Sequence, residues 1–461
     1  MLYTEEVENF YSDCEDFICR KIVSEKALVN IYFIRGMCDR DYISERIIRP
    51  VTDLKDTLES FDGNFSVLLR SASLSVPENA KAASERLVSG ECLTVLCNGN
   101  GVFPVLSNAQ TGVGRSIGEP TSDVTVKGPK AGFVEDAERN AVMLRQYIRT
   151  SDLKIRRFSV GSISKTKVLL CYVKNRADTE LVEDISEKLK NADARTVTDS
   201  ENIAMLLNGK KYSLLPSVGS TEKADKASSK LMAGRIGIIV DGSPFVLTLP
   251  YLFAESIQSS DDYTHTKWYA TFIRILRFFA FGASVFAPSV LVALGDYMPE
   301  KISHIITSAR ENVPVSLFLE IFCVLLLFEL LREVGVRMPR TVGDAVGIVG
   351  SIILGDAAVQ AGFVSTVSVI TVALSAVCAF ITPVFMYVTV LARFLSLLMS
   401  RLLGVWGLSV SICVFTAAFC CKKSFGVPYM YPLSPFDKKG LMDFLYADPK
   451  KILGRREIFR G

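Results

Sequence analysis

Two glutamates, Glu320 and Glu329, stand inside an otherwise apolar run, Pro314–Leu331. A carboxylate at mid-bilayer costs about 2.5–3.5 kcal/mol even on the lenient insertion scale, so such a group faces protein, water or a partner. Nine residues at 100° each set the two on opposite sides of a helix, about 180° apart. They cannot share one ligand or act as an acid–base pair. In one reading, one of them lines an ion path while the other pairs with Arg332, Arg337 or Arg310. In the other, both are held in structural salt bridges at helix ends. Arg332, Glu333 and Arg337 are the candidates for intramembrane or interfacial ion pairs.

A second pattern is a hydroxyl stripe. Ser368, Thr371, Ser375, Cys378 and Thr382 fall within about 80° of one helical face, with Val, Ile, Leu and Phe elsewhere. Such a stripe can line a narrow aqueous pore. It can equally bond the preceding turn or a neighbouring helix. A third pattern is small: Gly343, Gly347, Gly350, Ala358 and Ala361 share one face, which lets helix backbones approach closely.

Enzymatic chemistry lacks its residues. His265 and His304 are the only histidines, which starves Ser/His/Asp, Cys/His and His-rich metal sites. The eleven cysteines form no CxxC. Neither GxGxxG nor GxxxxGK[ST] occurs. No catalytic constellation and no cofactor site is expected. A net charge of +3 gives no argument for nucleic acid.

These patterns must be positioned by two different kinds of chain. A mean hydropathy of +0.30 with 22% charged residues is the average of unlike halves. Charges recur every few residues to about Thr271, and long apolar runs dominate from Ile275 to Cys421. The charged half predicts strands at Leu28–Ile34, Cys92–Cys97 and Lys167–Val173, and helices at Glu135–Arg149 and Thr179–Lys190. Arg235–Val240 and Phe245–Leu249 flank Asp241-Gly242-Ser243-Pro244 as a hairpin. The Gly-, Ser- and Asn-rich stretch Asn98–Gly118 reads as a boundary, and Pro216–Ser229 as a linker.

Crossing roughly 30 Å of hydrocarbon takes about 20 apolar residues. Candidate segments are Ile275–Met298, kinked near Pro288, then Pro314–Leu331, Ala345–Gly362, Val364–Val390 and Leu402–Cys421, the last with Trp406 as an interface anchor. Lys and Arg cluster before the first and after the last, so both termini are expected in the cytosol and the number of crossings is even. Four crossings are expected, with Pro314–Leu331 or Ala345–Gly362 the exception. The acidic N-terminus lacks the apolar core of a cleavable secretion signal. The expected fold class is α+β: two small α/β subdomains, 1–105 and 106–262, then an all-α multi-pass bundle, 263–423, and a cytosolic tail, 424–461.

Several runs carry a resemblance: Gly114-Arg115-Ser116-Ile117-Gly118-Glu119-Pro120, Lys127-Gly128-Pro129, Gly132-Phe133-Val134-Glu135 and Asn140. It continues through Gly234–Pro244, Asp262-Tyr263 and Arg274–Arg277, then Val313-Pro314, Glu320, Glu329, Leu331-Arg332-Glu333 and Arg337-Met338-Pro339, and ends at Phe425–Tyr429. In these runs the chain resembles the GerA family of bacterial spore germination proteins, the A subunits of germinant receptors. The stage V sporulation protein AF, a close paralogue, shares much of the pattern. Ser220–Asp225 departs from the family's usual TERPD. The resemblance implies an inner-membrane protein of the dormant spore that assembles with a transporter-like B subunit and a lipoprotein C subunit. It also implies a homo-oligomeric channel that releases monovalent cations when nutrient binds the B subunit. On the resemblance, either the stripe Ser368, Thr371, Ser375 and Thr382 or the helix bearing Glu320 and Glu329 would border the pore; these six are the pore or gating candidates. A non-conducting scaffold is the alternative, and a secondary transporter a third; the latter predicts two related halves, and no internal repeat is seen.

Overall fold

The computed structural model describes residues 2–24, 27–54, 58, 61–71, 73–111, 129–208, 214–259, 262, 266–339, 343, 347, 350, 357–438, 440 and 444. The chain divides into one unit of Met1–Tyr212 with Ser217–Tyr251, and a second made mainly of Leu252–Leu453.

The first unit holds two antiparallel five-stranded sheets. Strands β1 (Phe17–Val23), β2 (Leu28–Ile34), β3 (Leu74–Ser75), β4 (Glu91–Asn98) and β5 (Gly101–Asn108) lie in the order β1-β2-β4-β5-β3. Alternate side chains of β2 reach opposite layers. Val29 and Ile31 pack with Ile43, Ile47 and Val51, whereas Tyr32 and Ile34 pack with Val7 of α1 (Leu2–Phe10), Tyr11 just beyond it, and Ala83 of α2 (Ala80–Leu87). Both faces are therefore covered, which is why these strands read as apolar runs rather than alternating ones.

The second sheet takes β6 (Leu153–Val160), β7 (Thr166–Val173), β8 (Gly219–Thr221), β9 (Ile236–Val240) and β10 (Val246–Leu249) in the order β6-β7-β9-β10-β8. Helices α3 (Ala137–Tyr147), α4 (Thr179–Lys190), α5 (Ser200–Asn208) and α6 (Ala224–Met232) accompany it. Asp136 caps α3 by accepting from the N–H groups of Glu138 and Arg139, and Asp178 caps α4 by accepting from the Glu180 N–H. The two sheets are tied by polar bonds. The Glu15 N–H donates to Ile155 O at 3.0 Å, Lys154 Nζ donates to Phe10 O at 2.6 Å, and Arg145 holds Asp16 through Nε and Nη2.

Three expectations for this unit need correction. The boundary at 105/106 falls inside β5, because Asn98 closes a tight hairpin by accepting from the N–H groups of Asn100 and Gly101; the glycines there make a turn, not a linker. Pro216–Ser229 is not a linker either. It supplies β8 and most of α6, whose Ala224, Ala227, Ser228 and Leu231 are buried at helical spacing. β1, β3, β5, β6 and β8 were absent from the expected strands. Residues 112–128, which include the Gly114–Gly118 run, lie outside the described residues.

The second unit comprises α7 (Phe253–Ile257), α8 (Lys267–Leu294), α9 (Glu300–Ala309), α10 (Leu317–Arg337), α11 (Thr366–Phe380) and α12 (Met386–Cys421). Among the described residues, two helical stretches are long and apolar enough to cross a membrane, Lys267–Leu294 and Pro383–Cys421. The expected single span Val364–Val390 is broken. Pro383 disfavours helical backbone in the residue before it, and Thr382 sits at φ −126°, ψ 69°. A 3-10 turn, Pro383–Phe385, then restarts the chain as α12. The expected Leu402–Cys421 is thus the second part of α12, interrupted at Gly404 (φ 58°). Trp406 lies within α12 rather than at its end and is 79% exposed. Most of the Ala345–Gly362 segment lies outside the described residues.

The tail expected to separate at 424 packs into this unit. The Phe253 N–H donates to Tyr429 O at 3.0 Å. The Phe253 ring lies 5.6 Å from those of Phe281, Phe385 and Phe419, and 6.4 Å from Phe444.

Candidate functional site

Pro288 lies inside α8 and has no N–H to offer the carbonyl of Ser284, four residues earlier. A buried carbonyl without a donor is costly, so other helices must supply one. Two do. Ser375 Oγ of α11 donates to Ser284 O at 2.9 Å, and Arg393 Nε of α12 donates to the same oxygen at 2.8 Å. One turn along, Ser289 Oγ and Ser396 Oγ are 2.6 Å apart. Three helices are therefore joined by polar contacts at the point where a proline opens one of them.

Arg393 is 1% exposed and also reaches a fourth helix. Its Nη2 donates to Ser375 O at 3.4 Å, and its Nη1 lies 3.5 Å from Glu329 Oε1. Glu329 is shared, because Arg332 Nη2 sits 2.6 Å from Oε2. Two guanidiniums and one carboxylate thus meet in an apolar bundle. An arginine suits this place because its planar fork serves a carbonyl and a carboxylate together.

Glu320 has a different task. It is 1% exposed, and its Oε1 accepts from both the N–H and the hydroxyl of Ser365, each at 2.6 Å. Ser365 is the N-cap of α11, so this carboxylate supports the positive end of that helix. Arg310 Nε donates to Oε2 at 3.2 Å and neutralises it. Glu320 and Glu329 occupy separate sites, as the angular spacing requires. Each is paired with arginine.

The hydroxyl stripe divides. Ser368, Ser375 and Thr382 are fully buried, with Ser368 Oγ donating to Ser365 Oγ at 3.2 Å, since the Ser365 proton is given to Glu320. Thr371 donates to Val367 O of its own helix at 2.8 Å. Within one chain these groups face protein. Arg337 and Glu333 form an exposed pair at 2.7 Å. On the small-residue face, a Cβ at Gly350 would lie 2.7 Å from Leu331 Cδ1, and one at Gly343 would lie 3.3 Å from Gly335 O, whereas Gly347 has nothing within 4 Å. Close approach to α10 is therefore required at the first two positions.

Arg393, Ser284, Ser289 and Ser396 were missed by sequence reasoning. The signal was present: one arginine in the apolar run Tyr387–Met399, with serine three residues on, and a serine four residues before a proline in α8.

Among the described residues no cluster of His, Cys, Asp and Glu could hold a metal ion. The arrangement joins four helices through buried polar contacts.

The chain belongs to the GerA family: the model for "Bacillus/Clostridium GerA spore germination protein" matches residues 5–459. Spore germination protein KA of Bacillus subtilis (strain 168) is 35% identical over 446 residues, 94% of this chain and 81% of that one. The uncharacterized membrane protein YfkQ of the same strain is 29% identical over 451 residues, 96% of this chain and 88% of that one. Among solved structures, the N-terminal domain of the A subunit of the Bacillus megaterium spore germinant receptor GerK3 aligns at 24% identity and a TM-score of 0.41, covering 54% of this chain and 94% of that one.

Proposed function

We propose that this chain is a membrane subunit of a spore nutrient-germinant receptor, and that copies of it assemble into a cation channel opened by a nutrient-binding partner. Membership of the GerA family over nearly the whole chain supports the receptor part. The two long apolar helices support residence in a bilayer. On this reading the bundle crosses four times, with both termini in the cytosol, in the inner membrane of the spore. A transporter-like B subunit and a lipoprotein C subunit are its partners.

The observation that carries the channel part is the charged node at Arg393, Glu329 and Arg332. Intramembrane charges are expensive and mark ion pathways or moving parts. A gate moving from 1:99 to 99:1 needs about 5.5 kcal/mol of differential binding, which several copies acting together can supply. The test is deletion of the gene and its return on a plasmid, with potassium release from spores measured after nutrient is added. Release should vanish and be restored. Unchanged release in the deletion strain would refute the reading.

A second reading, a non-conducting scaffold, is favoured by one observation: Ser368, Ser375 and Thr382 are buried within the single chain. A scaffold reconstituted in vesicles with its partners passes no current.

A further inference from the structure

The node holds an unequal set of charges. Arg332 and Arg393 both lean on Glu329, at 2.6 Å and 3.5 Å, so one carboxylate faces two guanidiniums. Arg393 is held in place by Nε on Ser284 O and Nη2 on Ser375 O. Among the described residues its Nη1 has no hydrogen-bond acceptor, nor does Ser400 Oγ, seven residues further along the same helix, have a partner. Both atoms are buried. Ser289 and Ser396 complete a hydroxyl-bearing seam between α8 and α12. Hydroxyls in file are what a partly dehydrated cation can follow. A fixed positive charge in a low-dielectric seam is what it cannot pass, because repulsion there is screened far less than in water.

We propose that Arg393 is the charge-selecting residue of this seam, and that the one positive charge by which the node exceeds Glu329 keeps the seam closed to cations in the resting chain. The proposal rests on the channel reading above and adds the residue that sets its resting state. Opening then requires the guanidinium to leave Ser284 O, or an added negative charge to balance it. Arg393 acts here by charge and not only by packing, which separates it from an ordinary helix clasp.

The experiment uses the purified full chain in vesicles of phosphatidylethanolamine and phosphatidylglycerol loaded with rubidium. Arg393→Gln keeps a donor for Ser284 O and removes the charge; rubidium should escape at least about tenfold faster than from wild-type vesicles. Arg393→Lys keeps the charge and should stay as tight as wild type. Arg393→Gln inserted at normal yield yet tight would overturn the proposal, as would Arg393→Lys leaking as fast as Arg393→Gln. If Arg393→Gln does not insert, Arg332→Gln decides. It cancels the excess charge while leaving the bonds of Arg393 to Ser284 and Ser375 in place. Faster escape supports the proposal, and wild-type escape overturns it. The spore deletion experiment reads the parent proposal separately, since a receptor subunit can be required for germination while Arg393 has no effect on leak.

Discussion

Glu320 takes the main-chain N–H and the hydroxyl of Ser365 on a single carboxylate oxygen, each at 2.6 Å. One helix thereby caps another. Glu320→Ala leaves Arg310 without its carboxylate and the first turn of α11 without its acceptor. Removing one member of a buried pair costs about 3–5 kcal/mol. Thermal unfolding of the variant in detergent should show that loss, and Glu320→Gln should recover part of it. A variant as stable as wild type would mean that the contact contributes nothing.

The proline in α8 and the serine in α11 should be energetically coupled. Pro288→Ala returns an N–H to Ser284 O, which then has three donors for two lone pairs. Ser375→Ala should therefore be costly in the native background and nearly silent beside Pro288→Ala. A double-mutant cycle on unfolding midpoints should give a coupling of about 0.5–3 kcal/mol. Additive effects would show that Ser375 Oγ does not serve that carbonyl.

Asp16 and Arg145 fasten the two sheets of the N-terminal unit. The Arg145 side chain has no exposed surface, and the Asp16 carboxylate beside it holds its guanidinium well above the ordinary arginine value against the opposing effect of burial. Asp16→Ala strands that charge, at a cost of about 3–5 kcal/mol. Hydrogen exchange of β6 and α3 should accelerate. Protection equal to wild type would contradict the assignment.

Asp199 gives a pH dependence with a definite sign. The Ser243 hydroxyl, 2.6 Å away, is the main cause that lowers its carboxyl below the usual aspartate value; burial opposes the shift. Because the folded value lies below the unfolded one, the stabilisation is complete above the unfolded value. It is lost as pH falls through the folded value. Ser243→Ala should cost about 1.5–3 kcal/mol at neutral pH and little in strong acid, where the carboxyl is protonated. Circular dichroism of acid unfolding in detergent checks it; an equal loss at both ends would rule out the carboxylate as the partner.

The proposed topology, four crossings from a cytosolic N-terminus, would put α9, which follows the first long helix, on the outer face. Thr307→Cys in α9 should react with a membrane-impermeant maleimide added outside, and Lys438→Cys only after the vesicles are opened. The reverse pattern would invert the topology.

The sheets were legible where chemistry is local. β2 and α4 appear with the limits expected from apolar runs and charge periodicity. The turn at Asp241–Pro244 needed only its own residues. What the sequence hid depends on distant partners. Ala224, Ala227 and Ser228 resemble a linker until Leu231 closes a buried face. Ser284 carries no anomaly in its own side chain, because the reactive group is its carbonyl, exposed to other helices by Pro288. Arg393 stood between two expected spans, and the gap between them hid a cation that is 1% exposed. Glu320 and Glu329 were visible because a carboxylate in an apolar run is rare; their partners were open, because pairing across helices depends on topology.

The rings around Phe253 come from both ends of the helical unit, and Phe444 lies 170 residues beyond Arg274, whose Nη1 donates to its carbonyl at 3.5 Å. A ribosome makes the first long helix well before it makes Phe419, Tyr429 and Phe444. During that interval the aromatic cluster lacks its closing members, so the earlier helices wait half-assembled until those residues emerge. Premature release there should leave a chain for quality-control proteases rather than a shortened receptor.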